Sequence, residues 1–351
     1  MSILCPTDFS ASAQEAADVA AALARKLSLP LRLVHCAQDF TTMGDLPVNL
    51  PDDGLLSEQL KTEATRLRES GVAVTAELRH GGVVWEVIAA AGEQPTELIV
   101  LGATGKGNAA HWLIGSVAEA VAEESPVPCL VVRQPEILLG WMQGRVKLEA
   151  LCAVDLSPSS DAAISWLGTL RGIAPVKVGA AYIHHTQDEG SMLEDTPARE
   201  RDVWERVRAV LGDVPVDVYM CATKGGAARE FLKLTEDRNP GLVVMGSRRL
   251  HGLSRLMSRS FSRRVLTHAR GNVLCVPAKP RPCTEVPCIR RVLVATDLGP
   301  LAAATLRHAR SLLPAGGHIH MVHVCDEPTA GINPVIASEV YFDHSLEVAK
   351  A

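Results

Sequence analysis

The segment GATGKGNAAHWLIGS, Gly102–Ser116, follows the short run ELIVLG and leads into AEAVAEESP, and its reading decides the fold. A continuously apolar run of this length is the pattern of a strand buried on both faces of a parallel sheet. A glycine-rich loop directly after such a strand, with a helical pattern beyond it, is the usual site of anion contact in an open α/β sheet.

The elements before this segment fit the same scheme. A strand at Ile3–Thr7 leads into an alanine-rich helix near Ser12–Leu27. LRLVHC is the next strand, and a loop rich in Gly, Pro, Asp and Asn runs through Asp39–Asp53. A helix near Leu56–Glu69 stops at Gly71, a normal C-terminal signal. VAVTAELR, the helix in GGVVWEVIAAA, ELIVLG and PCLVVR complete a βαβαβαβαβ order. The alternation predicts a doubly wound three-layer α/β domain around a mainly parallel five-stranded sheet.

The chain then repeats itself. SILCPTDFSASA, EALCAVDLSPSS and RRVLVATDLGPLA are each an apolar run ending in an aspartate: Asp8, Asp155 and Asp297, 147 and 142 residues apart. The second copy follows with strands LCAVD, VKVGAAYI, VDVYMCA, LVVMG and VLCVP. Its helices are expected near Asp161–Leu170, Ala198–Leu211, Gly226–Thr235 and Leu256–His268. Gln134–Gly144 is read as the boundary between the first two copies, and KPRPCTEVP as a proline-rich linker. The third copy offers only a strand, a helix near Ala302–Leu313 and the strand GHIHMVHV. The expected units are therefore residues 1–134, 147–278 and a partial unit at 289–351.

Composition sets limits on function. The formal charge of −5 gives no reason to expect nucleic acid as a partner. No apolar window is long enough to cross a membrane, and the N-terminus lacks a secretory pattern, so a cytoplasmic location is expected. Most of the nine cysteines fall in apolar runs, where a thiol acts as a small hydrophobe. Cys283 and Cys288 are close in the linker, which has no further metal ligands. His318, His320 and His323 lie along one strand, but alternation turns His323 away from the other two. No metal site is assigned.

The glycine spacing is Gly102-x2-Gly105-x9-Gly115-Ser116. It is not the GxxxxGK[ST] phosphate loop, and no glycine follows the first strand as a dinucleotide fold requires. Gly102 and Gly105 allow a sharp loop whose N–H groups face an anion. Gly115 and Ser116 stand at a helix start, where free N–H groups favour phosphate. Lys106 and His111, in the same loop, are candidate phosphate contacts or solvated residues. Asp8 is either a nucleotide ligand or a cap for the helix that follows.

On Asp8, Gly102, Gly105, Gly115 and Ser116, together with the strand order, the chain resembles a tandem universal stress protein of the UspA-like superfamily. PVPCLVVR also resembles that family's dimer-forming edge strand. The resemblance implies adenine and ribose near the first two strands, with the triphosphate over Gly102–Gly105 and Gly115–Ser116, alone or with Mg²⁺. It implies ATP bound as a regulatory signal, with no dedicated catalytic apparatus. A weak ATPase is the most that enzyme chemistry could amount to, since no general base is evident. A scaffold that binds no nucleotide is the remaining reading. The second copy keeps Gly246 but has Arg249 and Arg259 at the other glycine positions, so ATP is not expected there. Six arginines fill Arg248–Arg264 with no acidic residue among them, as an anion site or a solvated basic surface. The third copy has three readings, packing on the full copies, pairing with another chain or a truncated domain, and pairing of the two full copies within the chain would leave it available for a homo-oligomer.

Overall fold

The structure, a computed structural model, describes residues 1–37, 52–104, 114–185, 196–223, 226–247, 260–278, 291–296, 305–306, 309, 318–323 and 339–340. The first repeat runs β1 (Ser2–Pro6), α1 (Ala11–Leu27), β2 (Leu31–Ala37), α2 (Asp53–Arg68), β3 (Val74–His80), α3 (Val83–Glu93), β4 (Thr96–Gly102), α4 (Ser116–Glu124) and β5 (Cys129–Val132). Next come α5 (Pro135–Met142), β6 (Leu148–Val154), α6 (Pro158–Ile173), β7 (Val176–His185) and α7 (Thr196–Leu211). The second repeat closes with β8 (Val216–Thr223), α8 (Ala227–Arg238), β9 (Leu242–Ser247), α9 (Ser260–His268) and β10 (Asn272–Pro277).

Two five-stranded sheets were the expectation. Instead the two sets of strands join in one ten-stranded sheet, ordered β3-β2-β1-β4-β5-β10-β9-β6-β7-β8. Every pairing is parallel except the seam, where β5 and β10 run antiparallel. The physical reason lies in two edge strands with no charged side chain to blunt them: CLVV and NVLCVP are wholly buried. Gly102 pairs with Val132, and Gly246 with Val276, which makes Leu130 and Leu274 equivalent positions. Leu274 pairs with Leu130 itself, so a pseudo-two-fold axis passes through that pair.

Helices cover both faces. On one, the core contains Ala16, Ala20, Leu60, Leu67, Ile164 and Val203 from α1, α2, α6 and α7. On the other it contains Val87, Val121, Phe231 and Val265 from α3, α4, α8 and α9. The small side chains of α1 bring its backbone close to the sheet. Ser10 caps that helix, its side chain accepting from Ala13 N, and Ser28 ends it in the left-handed region at φ 56°.

The stretch read as a boundary is part of the core. Pro135 starts α5, a position proline suits because its missing N–H is not needed there. Trp141 is 1% exposed and its Nε1 donates to Pro175 O at 3.0 Å. Asn272, fully buried, ties the seam: its Oδ1 accepts from Arg133 N (2.9 Å) and Gln134 N (3.0 Å), and its Nδ2 donates to Gln134 O and Gly241 O.

The C-terminal part carries β11 (Arg291–Ala295), β12 (His318–Val322) and β13 (Glu339–Val340) in a separate three-stranded sheet. β11 and β12 are parallel, as the partial repeat predicts, and β13 adds an antiparallel strand that the sequence did not signal. Of the helix expected near Ala302–Leu313, only residues 305, 306 and 309 are described, and they are helical.

Candidate functional site

β1 lies between β2 and β4, so the chain leaves it in one direction and returns on the other side. The carboxyl ends of β1 and β4 flank this switch point, where open α/β sheets receive ligands. Asp8, after β1, and Gly102, closing β4, both stand there.

The turn after β1 is tightly specified. Thr7 Oγ1 accepts from Phe9 N, and Asp8 Oδ1 accepts from Ser10 N, each at 3.0 Å. Phe9 is held at φ 61°, a strained value for a bulky residue. Its ring lies 4.5 Å from that of His35, whose Nδ1 donates to Thr7 O at 2.7 Å. The second repeat copies the turn: Leu156 has φ 59°, and Asp155 Oδ1 accepts from Ser157 N at 3.1 Å. Of the two roles open to Asp8, nucleotide ligand or helix cap, the capping role falls to Ser10. Asp8 braces the peptide before the helix, while Ser10 is the cap.

Gly102 sits where α1 meets the sheet. A Cβ there would lie 2.7 Å from Ser12 O, so the glycine admits the first turn of α1. Gly246 has the same relation to Ser159. Thr104 N approaches Ser12 Oγ at 3.4 Å, and Gly115 N donates to Ala103 O at 2.7 Å, which returns the loop to its strand. Gly115 is the N-cap of α4, at an ordinary φ of −72°, and offers no side chain to the first turn. Glu119 N donates to Gly115 O. Helix geometry then leaves the N–H groups of Ser116, Val117 and Ala118 without an intrahelical acceptor. Ser116 is exposed.

Four of the anticipated residues, Asp8, Gly102, Gly115 and Ser116, are thus placed around one sheet edge. Gly105, Lys106 and His111 lie outside the described residues, as do Arg249, Arg259 and Asp297. Ser10, Ser12, Phe9 and His35 join the edge unannounced. For Ser10 the signal was available, a serine just ahead of the alanine-rich helix.

Two features lie near the seam. Arg263, from the arginine-rich stretch, donates to Glu119 at the start of α4 at 2.5 Å. Arg133, after β5, donates through Nη2 to Leu266 O near the end of α9, while its buried Nε and Nη1 have no hydrogen-bond partner among the described residues. Burial pushes this guanidinium down to about 10. In the third repeat His323 Nδ1 donates to Thr296 O at 2.7 Å, the bond His35 makes to Thr7 in the first. That pairing gives His323 a place in the strand-end turn. Among the described residues, no helix is long and apolar enough to cross a membrane.

The sequence model of the universal stress protein family matches residues 1–133 and 149–277. A universal stress protein of Methanocaldococcus jannaschii is 32% identical over 145 residues, covering 38% of this chain and 82% of the relative. One from Mycobacterium tuberculosis is 26% identical over 244 residues, covering 64% of this chain and 81% of the relative. Among solved structures, a universal stress protein from Archaeoglobus fulgidus aligns with TM-score 0.60 at 18% identity, over 79% of this chain and 98% of its own. A protein of unknown function from Pseudomonas aeruginosa aligns with TM-score 0.58 at 18% identity, over 79% and 92%. These structures share the fold. With the family's pattern matched over both full repeats, the chain belongs to the universal stress protein family, as a tandem of two family domains with further C-terminal strands suggesting a partial third.

Proposed function

We propose that the chain is a nucleotide-binding regulatory protein that holds ATP, with Mg²⁺, in its first repeat. The observation that carries this reading is the start of α4. Its N-cap is a glycine, its first residue is exposed, and it lies beside the β1–β4 switch point. Three backbone N–H groups and the positive end of the helix dipole converge there, the arrangement that suits a phosphate. Ser116 adds a hydroxyl, Gly105 carries no side chain to crowd a phosphate, Gly102 admits the first turn of α1 at this edge, and Asp8 stands on the side expected for ribose. The Gly115 N–H is engaged with Ala103 O, so the anion falls to Ser116 and the residues after it.

The second repeat serves in this reading as a partner without ATP. Arg249 and Arg259 replace the two glycines that the first repeat keeps, and a side chain there crowds a phosphate. The chain is then a pseudo-dimer, its two repeats joined at the β5–β10 seam as two subunits would be.

The test is calorimetry of nucleotide-stripped protein titrated with ATP and Mg²⁺, beside a Ser116→Glu variant. The variant sets a carboxylate among the phosphate donors, at a helix start where an acidic residue is well tolerated. The expected result is one saturable site per chain, weakened at least tenfold in the variant with no loss of thermal stability. Two sites would overturn the reading of the second repeat. No binding by the folded protein would overturn the nucleotide reading and leave the scaffold.

A further inference from the structure

The antiparallel seam sets Cys275 directly opposite Cys129, so two thiols far apart in sequence form one cross-strand pair. The two belong to the same core layer and are 1% and 0% exposed. About the pseudo-two-fold axis, the position equivalent to Cys129 is Val273 and that equivalent to Cys275 is Val131. Those valines pair with each other on the other side of the axis. The seam therefore carries one sulfur pair and one valine pair on the same face.

We infer that Cys129 and Cys275 are a disulfide-forming pair that covalently locks the two repeats when a hydroperoxide is present. Directly opposed residues of an antiparallel ladder have Cα atoms about 4.5–5.5 Å apart. A disulfide accepts Cα separations of about 4.4–6.8 Å. Bridging thus asks for side-chain rotation without strand movement. Both are thiols in this structure, and Cys129 Sγ lies 3.8 and 3.6 Å from the carbonyl oxygens of Val121 and Val127, weak bonds that rotation can release.

Burial under α4 and α9 selects the oxidant. A small neutral hydroperoxide can penetrate the core or enter when the seam opens, whereas a charged, bulky disulfide cannot. One cysteine thiolate attacks a peroxide oxygen; the O–O bond breaks, giving a sulfenic acid and an alkoxide or hydroxide that takes up the thiol proton. The second sulfur attacks the sulfenic sulfur; the S–O bond breaks, the S–S bond forms, and water leaves with the second thiol proton. Two thiols lose two electrons in all, and the peroxide is reduced to an alcohol or water, with one further water formed.

The experiment treats the native full chain with hydrogen peroxide until Cys221, which is half-buried, is consumed. The protein is then unfolded, alkylated, digested without reductant and mapped by mass spectrometry. The expected result is a Cys129–Cys275 linked peptide, absent from Cys129→Ala and Cys275→Ala chains. A rise in the unfolding midpoint should accompany it and be reversed by dithiothreitol. Recovery of both cysteines as alkylated thiols from wild-type protein, or their linkage to other cysteines, would overturn the inference without recourse to any variant.

Discussion

Replacing Gly102 by alanine separates a packing role for this glycine from a purely ligand-directed one. The added Cβ would stand 2.7 Å from Ser12 O and 2.8 Å from both Ser12 C and Ser12 Oγ. Carbon atoms settle about 3.5–4.0 Å apart, so relief requires a shift on the order of 0.7 Å or more. Most of what is struck is the backbone of a capped helix, which cannot swing aside as a side chain could. α1 itself is fixed, with Ala16, Ala17, Ala20 and Ala24 at 0% exposure. Overpacking of this kind costs about 1–3 kcal/mol. For domains of roughly this size, about 2–4 °C of midpoint accompanies each kcal/mol, so a fall on the order of 2–12 °C is expected. Gly246→Ala should behave alike, since its Cβ would lie 2.5 Å from Ser159 C. Gly172→Ala in α6, with nothing within 4 Å, is the control and should hold or gain stability. The assay is thermal unfolding followed by circular dichroism without nucleotide. Wild-type midpoints for both Gly102→Ala and Gly246→Ala would refute the packing argument and leave the loop as the only reason for glycine there.

Three other outcomes are expected. Asn272→Ala strands the backbone groups of Arg133, Gln134 and Gly241 at the buried seam and should cost about 3 kcal/mol in urea unfolding. Arg133→Met should match or exceed wild-type stability at pH 7, because it removes a buried charge two of whose nitrogens have no partner among the described residues. The folded pKa of about 10 lies below the ordinary guanidinium value, so wild type should gain stability as pH rises above about 10, and the variant should not; denaturant midpoints against pH read both. Glu93 is held below its usual 4.5 chiefly by its bond to the Arg79 guanidinium. Its contribution is present above pH 4.5 and lost as pH falls through the lowered value. Glu93 is half-exposed, so Glu93→Gln should flatten that acid limb by less than about 1 kcal/mol, measured by urea unfolding between pH 3 and 6.

The sequence by itself determined the repeat and the alternation of strands and helices, because these follow from local pattern. A continuously apolar run such as LIVLG has no solvent face, and alanine-rich α1 can only lie close against a sheet. Asp8 and Asp155 were legible as paired landmarks for the same reason. What pattern could not supply is the meeting of distant segments. That β5 joins β10 depends on two edges 140 residues apart finding one register, and no local periodicity encodes it. The helix α5 was hidden because PEILLGWM is apolar on most sides and short; only its neighbours in the core give Trp141 a place. Gly102 looked like a loop residue serving a ligand, yet the body it accommodates is Ser12, which only the crossing of α1 over β4 brings near. The cross-strand cysteine pair belongs to the same class: two small apolar positions in the sequence, and a pair of facing thiols once the seam is closed.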